Sequence, residues 1–397
     1  MRLKDVTEFC PAYTGAARKD VVAFVPMEAL RYDSIAQQEI PFEEARGKYT
    51  FFADGDLLFA KVTPCFENGN IAVATNLKGG IGFGSSEIFV LRAKPGLNNR
   101  YLFYVVQASP FMDGGCATMC GVGGLKRMSP LFPRTFEWEI PSVESQRKIV
   151  AYLDEKTAAI DARVAVLEKK LAAYKRLKAS VINRAVTRGL DPKAKLKDSG
   201  VDWIGKVPVG WEVGRIGSLY DQRSTKVSDK DYLPLSVSKQ GIVPQMESVA
   251  KTGNGDDRKL VKAGDFVINS RSDRRGACGI ADRNGSVSVI NIVLTPRIEM
   301  NPQYYNWLFH TTMFGDEFYN MGNGIVDDLW STRWSDMKSI SIVVPPLPEQ
   351  RAIADYLDAE CAKIDKMAEL VTREIELYKK LKRSLINEVV TGKREVA

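Results

Sequence analysis

The chain repeats itself at a fixed distance of 204 residues, and the repeat keeps its register without a gap. Ser145-Gln146-Arg147-Lys148-Ile149 returns as Glu349-Gln350-Arg351-Ala352-Ile353, and Ala151-Tyr152-Leu153-Asp154 as Asp355-Tyr356-Leu357-Asp358. Ile160-Asp161 returns as Ile364-Asp365, and Tyr174-Lys175-Arg176-Leu177-Lys178 as Tyr378-Lys379-Lys380-Leu381-Lys382. Ser180-Val181-Ile182-Asn183 closes the series as Ser384-Leu385-Ile386-Asn387. Packed helices punish a one-residue slip, whereas loops tolerate it, so the pattern predicts two copies of one long helix. Each copy follows a globular stretch. A pseudo-symmetric chain of this kind expects a target with two halves.

Apolar residues within the repeats fall at heptad spacing. Val150, Val164 and Leu171 hold one position, and Leu153, Ile160, Leu167, Tyr174 and Val181 the position three residues later. Ala354, Ala368 and Ile375, then Leu357, Ile364, Val371, Tyr378 and Leu385, repeat the scheme. This is a coiled-coil seam, and matched seams in one chain predict that the helices, 144–190 and 348–392, pack on each other. Lys178 and Lys382 share one seam position, where a polar residue sacrifices stability but fixes register. A helix of about 44 residues spans roughly 65 Å. For both globular halves to face a target alike, the two helices should run antiparallel. Pro141 and Pro345-Pro346 precede the helices, while Gly189 with Pro192, and Gly392, end them. The clusters Lys169-Lys170, Lys175-Arg176-Lys178 and Lys379-Lys380-Lys382-Arg383 read as solvated helix faces.

With 397 residues, 45% hydrophobic and 26% charged, the chain can build two or three domains with their own cores. A net charge of +7 is compatible with nucleic acid without demanding it. The six cysteines have no framework spacing; Cys116 and Cys120 lack the second pair that a tetrahedral zinc site needs. Free thiols, no apolar run behind Met1 and no span of about 20 apolar residues predict a cytoplasmic protein without membrane contact. The single histidine, His310, reads as a packing residue and argues against a Ser-His-Asp triad.

Residues 1–143 and 212–347 echo each other more loosely. Gly55-Asp56-Leu57-Leu58-Phe59 answers Gly264-Asp265-Phe266-Val267-Ile268, each a turn feeding a buried strand. Apolar stretches from Arg100 to Val106 and from Gln303 to Phe309 read as helices. The fold class is therefore α+β: two pseudo-repeated α+β domains separated by two long antiparallel coiled-coil helices. A polar segment, 191–211, connects the halves and ends in apolar anchors at Trp203, Ile204, Val207 and Trp211. Gly200 to Lys206 imitates a phosphate-binding loop, but Val207 and Pro208 stand where the hydroxyl and helix should follow.

Catalytic motifs are missing. The one Pro-Pro pair lacks the Asn/Asp and aromatic neighbours of an adenine methyltransferase, and no glycine cluster has a cofactor-loop setting. Groups able to read base edges are well supplied. Lys61, Thr63, Glu67, Asn68 and Asn70 follow the first predicted strand, and Ser270, Arg271, Asp273, Arg274 and Arg275 hold the matching place. Arginine can bond guanine bidentately, asparagine adenine, and a carboxylate the cytosine amino group. Lys126 and Arg127, matched by Trp330 and Arg333, follow further loops and could track phosphates. Any one of these residues is as readily a solvated loop; two matched sets point toward DNA.

The twofold Glu-Gln-Arg-x-Ile-x-x-Tyr-Leu-Asp…Ile-Asp helix, alternating with variable α+β domains, resembles the specificity subunit of type I restriction–modification systems. Asp198-Ser199-Gly200-Val201-Asp202-Trp203-Ile204-Gly205-Lys206-Val207-Pro208 resembles that family's lead-in to a target-recognition domain. So do Lys61-Val62-Thr63-Pro64 with Phe66-Glu67-Asn68-Gly69, and Asn269 to Gly276. The resemblance implies two target-recognition domains, each reading half of an interrupted double-stranded DNA sequence. It implies two methyltransferase subunits docked on the spacer helices, which nuclease-translocase subunits can join. This chain would bind no cofactor, with S-adenosylmethionine and Mg/ATP held by its partners. The lead-in here precedes only the second domain, whereas Arg2 to Val6 loosely answers Arg215 to Leu219. The competing readings are a standalone DNA-acting nuclease with an unfamiliar site and a coiled-coil scaffold without DNA contact.

Overall fold

The protein was analysed as a computed structural model that describes residues 1–16, 20–122, 124–246, 255–322 and 330–396. It divides into two compact units, Met1–Glu168 with Arg373–Ala397, and Lys169–Thr372. The two long helices, Val143–Arg188 and Leu347–Val390, each contribute to both units. Each starts two residues after Pro141 or one after Pro346, and ends before a glycine with φ of 72°, Gly189 or Gly392. Only glycine adopts that conformation without strain.

In the first unit the two helices run antiparallel. Asp161 meets Lys382 at 2.6 Å, Arg163 meets Glu374 at 3.0 Å and Glu168 meets Lys379 at 3.3 Å. In the second unit Lys178 meets Asp365 at 2.6 Å. The heptad seam supplies the buried stripe, with Leu153, Ile160, Val164 and Leu167 on one helix and Leu357, Ile364, Val371 and Ile375 on the other.

The globular part of each unit is built on the same four-stranded antiparallel sheet. In the first unit the order is Thr7–Phe9, Ile88–Ala93, Leu57–Ala60, Ile71–Val73. In the second it is Tyr220–Gln222, Asn291–Pro296, Phe266–Asn269, Cys278–Ile280. A short helix feeds the outer strand in both, Leu3–Val6 and Ile216–Leu219. Behind the sheets lie helices Asn99–Val105 and Ser109–Ala117, matched by Pro302–Phe309 and Thr312–Asn320. The α+β architecture inferred from the repeats is the one observed. No helix among the described residues is long and apolar enough to cross a membrane.

The Gly-Asp pairs explain how the central strand is positioned. Gly55 and Gly264 turn the chain at φ of 91° and 90°. Asp56 then accepts from Ala53 N and Asp265 from Lys262 N, both at 2.8 Å, closing the turn. Both carboxylates are buried and each is held by two arginine nitrogens, from Arg92 in one unit and Arg223 in the other. The ion pair persists, but its arginine has changed strands: Arg92 lies on Ile88–Ala93, whereas Arg223 follows Tyr220–Gln222.

The repeated helix motif joins globular part to helix. Gln146 is fully buried; its Oε1 accepts from Asn98 N and its Nε2 donates to Gly96 O and Pro141 O. Gln350 accepts from Asn301 N and donates to Pro345 O in the same way. Eight residues further on, Asp154 receives the Tyr104 hydroxyl at 2.6 Å and Arg100 Nε at 2.8 Å. Asp358 receives Trp307 Nε1 at 2.8 Å and Gln303 Nε2 at 3.0 Å. The helix keeps the acceptor while each globular half supplies a different donor.

Candidate nucleic-acid interface

In both units the loop that leaves the central strand is hydrogen-bonded to the second basic segment. In the first unit, loop 61–70 meets the hairpin of Cys120–Val122 and Leu125–Arg127. Thr63 N donates to Lys126 O at 2.9 Å, and the Thr63 hydroxyl donates to Gly124 O and accepts from Lys126 N. Val62 and Arg127 form an isolated bridge. In the second unit, Ser272 N donates to Trp330 O and Thr332 N to Ser270 O, both at 3.0 Å, around a bridge between Arg271 and Ser331. Residues more than 55 positions apart in sequence therefore make one surface in each half.

Within the first surface, Glu67, Asn68, Lys126 and Arg127 are exposed, and Lys61 and Asn70 are half-buried. Thr63 is buried, so its hydroxyl positions the hairpin. The Lys61 ammonium lies 5.2 Å from the centre of the Phe89 ring. Arg127 forms a fork with Glu87 at 2.9–3.0 Å, and these hydrogen bonds raise the guanidinium pKa above its ordinary value. Val122, 90% exposed, and Leu125 stand beside Lys126 on the hairpin.

On the second surface, Ser270 is buried and donates to Ile290 O at 2.6 Å, whereas Arg274 and Arg333 are exposed. Asp273 lies between two arginines, 3.1 Å from Arg271 and 3.4 Å from Arg274. Arg275 turns away to Asp316 at 2.7 Å and over the Tyr319 ring. Arg333 leads into the helix Trp334–Met337, and Trp330 is half-buried. Glu87 and Asp316 are the residues that sequence reasoning missed. Each restrains a candidate arginine from a distant segment, a relation that no local spacing reveals.

Among the described residues, no group of three His, Cys, Asp or Glu side chains could hold a metal ion, and all six cysteines are free. His310 Nδ1 lies 2.7 Å from Asn306 O, and its ring lies beside the buried Cys278 thiol. The sequence from Gly200 to Lys206 continues into the strand Lys206–Pro208, not into a helix.

Residues 208–376 match the family described as the type I restriction modification DNA specificity domain. The match covers less than half of the chain. It comprises the second globular half and the first part of the second long helix, including Gln350, Asp358 and Asp365. The specificity subunits of the type I restriction enzymes EcoEI and EcoAI from Escherichia coli are 33% and 32% identical over 152 residues. Those matches span 37% of this chain but only 26% of each subunit's length. A putative type I restriction enzyme MjaX specificity subunit from Methanocaldococcus jannaschii is 24% identical over 65% of the chain and 59% of its own length. In fold, the chain is similar to one from a structure titled for complex assembly and conformational transition of the type I R-M system. The TM-score is 0.75 at 16% identity, covering 99% of this chain and 97% of that one. The HsdS subunit from Thermoanaerobacter tengcongensis gives a TM-score of 0.51 at 19% identity, covering 99% and 96%. The matched residues include Arg271, Arg274 and Arg333, while Lys61 and Lys126 occupy the corresponding surface outside them.

Proposed function

We propose that this chain is the DNA-specificity subunit of a type I restriction–modification complex. Each unit reads one half of a bipartite double-stranded target, and the long helices dock two methyltransferase subunits. The observation that carries this reading is the repeated pairing of the post-strand loop with the second basic segment. It gives each unit one continuous surface of cations and carboxylates, joined by amides in the first, the groups that discriminate base edges and grip phosphates. On this reading Lys126 and Arg333 hold backbone, while Asn68 and Glu67 in one unit, and Arg271 and Arg274 in the other, read bases. Different residues in corresponding places make two unlike half-sites.

On this proposal the subunit is an adaptor in the cytoplasm that neither cleaves nor methylates. S-adenosylmethionine and Mg/ATP belong to its partners, among them any restriction-translocase subunit. Footprinting of the complex assembled with its methyltransferase tests it: two short protected half-sites are expected, and one continuous site would refute the two-reader scheme. Incubating the chain alone with DNA, Mg²⁺ and S-adenosylmethionine tests the nuclease alternative, because any cleavage or methyl transfer excludes a pure adaptor.

A further inference from the structure

Both strands of the first unit's hairpin, Cys120–Val122 and Leu125–Arg127, are exposed throughout, yet the pair nearest the turn is aliphatic. Val122, 90% exposed, lies opposite Leu125, 55% exposed. The two residues between them in sequence are glycines, so no other side chain extends past this pair. Side chains alternate along a strand, which puts Val122 and Leu125 on one face with Cys120 and Arg127. Lys126 falls on the other face, opposite Gly121. That second face must stay thin, since a Cβ on Gly121 would lie 2.2 Å from Leu125 O.

Two-stranded hairpins are marginal in water on their own, and this one is fastened through its backbone to loop 61–70. The Thr63 hydroxyl donates to Gly124 O and accepts from Lys126 N, Thr63 N donates to Lys126 O, and Met128 N donates to Lys61 O at 2.8 Å. Arg127 is held by its fork with Glu87. None of these anchors covers the aliphatic pair. Cross-strand packing does not account for it either. Side chains that stabilise each other across a hairpin also screen each other from water, and Val122 keeps nearly all its exposure.

We propose that Val122 and Leu125 recognise the methyl group of a 5-methylpyrimidine, thymine or 5-methylcytosine, in the major groove of the first unit's half-site. The inference rests on the reading of this surface as a DNA interface. A ribbon whose strands lie about 4.8 Å apart enters the major groove, about 12 Å wide, and not the minor groove, about 6 Å wide. The C5 methyl is the apolar group that base edges present there. An aliphatic side chain against a base amino group or carbonyl would strip its water and return no hydrogen bond. Against a methyl it buries apolar surface on both sides. Asn68 and Glu67, on the loop to which the hairpin is fastened, are then left to the polar edges, and Lys126, on the opposite face, to the phosphates.

The test uses the chain assembled with its methyltransferase subunits and a randomised duplex pool, from which bound sequences are selected. The selected duplex is then remade with deoxyuridine at one thymine after another, which removes the methyl and keeps the base pairing. Affinity should fall about fourfold for each methyl covered, the worth of one buried methylene group, at thymines within one half-site. The double variant Val122→Ser, Leu125→Ser should abolish that loss and bind both duplexes as the wild type binds the deoxyuridine one, an equality that also shows an intact hairpin. Remaking the same position with 5-methylcytosine, paired to guanine, separates the two sources: retained affinity assigns the methyl alone as the ligand, and lost affinity assigns thymine. Equal binding of thymine and deoxyuridine duplexes by the wild type overturns the proposal and leaves the DNA reading standing. So does a variant that loses affinity for the deoxyuridine duplex as well, or that no longer assembles with the methyltransferase, since the pair would then wedge between bases or contact protein. A pool that yields no preferred sequence removes the DNA reading itself, and this inference with it.

Discussion

Lys382 reaches Asp161 at 2.6 Å, and the residues 204 positions removed, Lys178 and Asp365, make the same pair with the helices exchanged. The lysine at the polar seam position and the aspartate of the Ile-Asp motif are thus two halves of one device. The copies differ in their surroundings. The Lys382 side chain is only 11% exposed and its ammonium lies 3.8 Å from the centre of the Tyr32 ring, whereas Lys178 is 31% exposed. Lys382→Ala should therefore destabilise the first unit by about 1–2 kcal/mol, and Lys178→Ala the second by about 0.5 kcal/mol. Urea titration with hydrogen exchange assigns each loss to a unit. Equal losses would contradict the argument from Tyr32.

The helices were legible because packing repeats with the period of the helix, and two copies fixed the register. Gly55-Asp56 and Gly264-Asp265 were legible as turns because glycine is the residue that adopts their geometry. The partner arginines were not. Arg92 and Arg223 reach the same place from different strands, so aligning the halves hides the equivalence. The candidate interface was half legible. Composition singled out the cations, but the pairing of Thr63 with Lys126, and of Ser270 with Thr332, depends on sheet topology. The fork of Glu87 on Arg127 has no local signal at all.

The motif glutamines should matter more than their neighbours on the helix surface. Gln146→Ala leaves Asn98 N–H without its acceptor and Gly96 and Pro141 carbonyls without a donor, in a buried place. A loss of about 1–3 kcal/mol is expected, confined to the first unit, and Gln350→Ala should do the same to the second. Hydrogen exchange at the starts of the two long helices reads this directly. Delocalised loss from either variant would show that the glutamine does not serve its own unit.

Burial pushes the Cys278 thiol from an ordinary 9.0 up to about 12. The same desolvation raises the phenols of Tyr220 and Tyr304, all three in the second unit. A group that is harder to ionise when folded supports the fold fully below its unfolded pKa. For Cys278 that support is lost as pH climbs from about 9 toward 12. The second unit should therefore weaken in alkali from about pH 9, and Cys278→Ser should lessen the thiol's share. Thiol labelling at pH 8 should modify exposed Cys120 first and leave buried Cys278 and Cys361 to the end. Early labelling of Cys278 in the folded chain would contradict this assignment.

Cys120 also reports on the proposed interface, because it pairs with Arg127 in the hairpin that carries Lys126. If that hairpin lies on DNA, duplex containing the target should slow Cys120 labelling in the assembled complex. Lys126→Ala should then weaken binding to all sequences similarly and lower the salt slope by about 1, as expected for a phosphate contact. Arg274→Ala, in the other unit, should instead relax discrimination at one half-site by about 1–3 kcal/mol if it reads a base. The contrast separates gripping from reading. Unchanged Cys120 reactivity with bound DNA would remove the hairpin from the interface, and an Arg274→Ala variant that loses both half-sites equally would rule out independent readers.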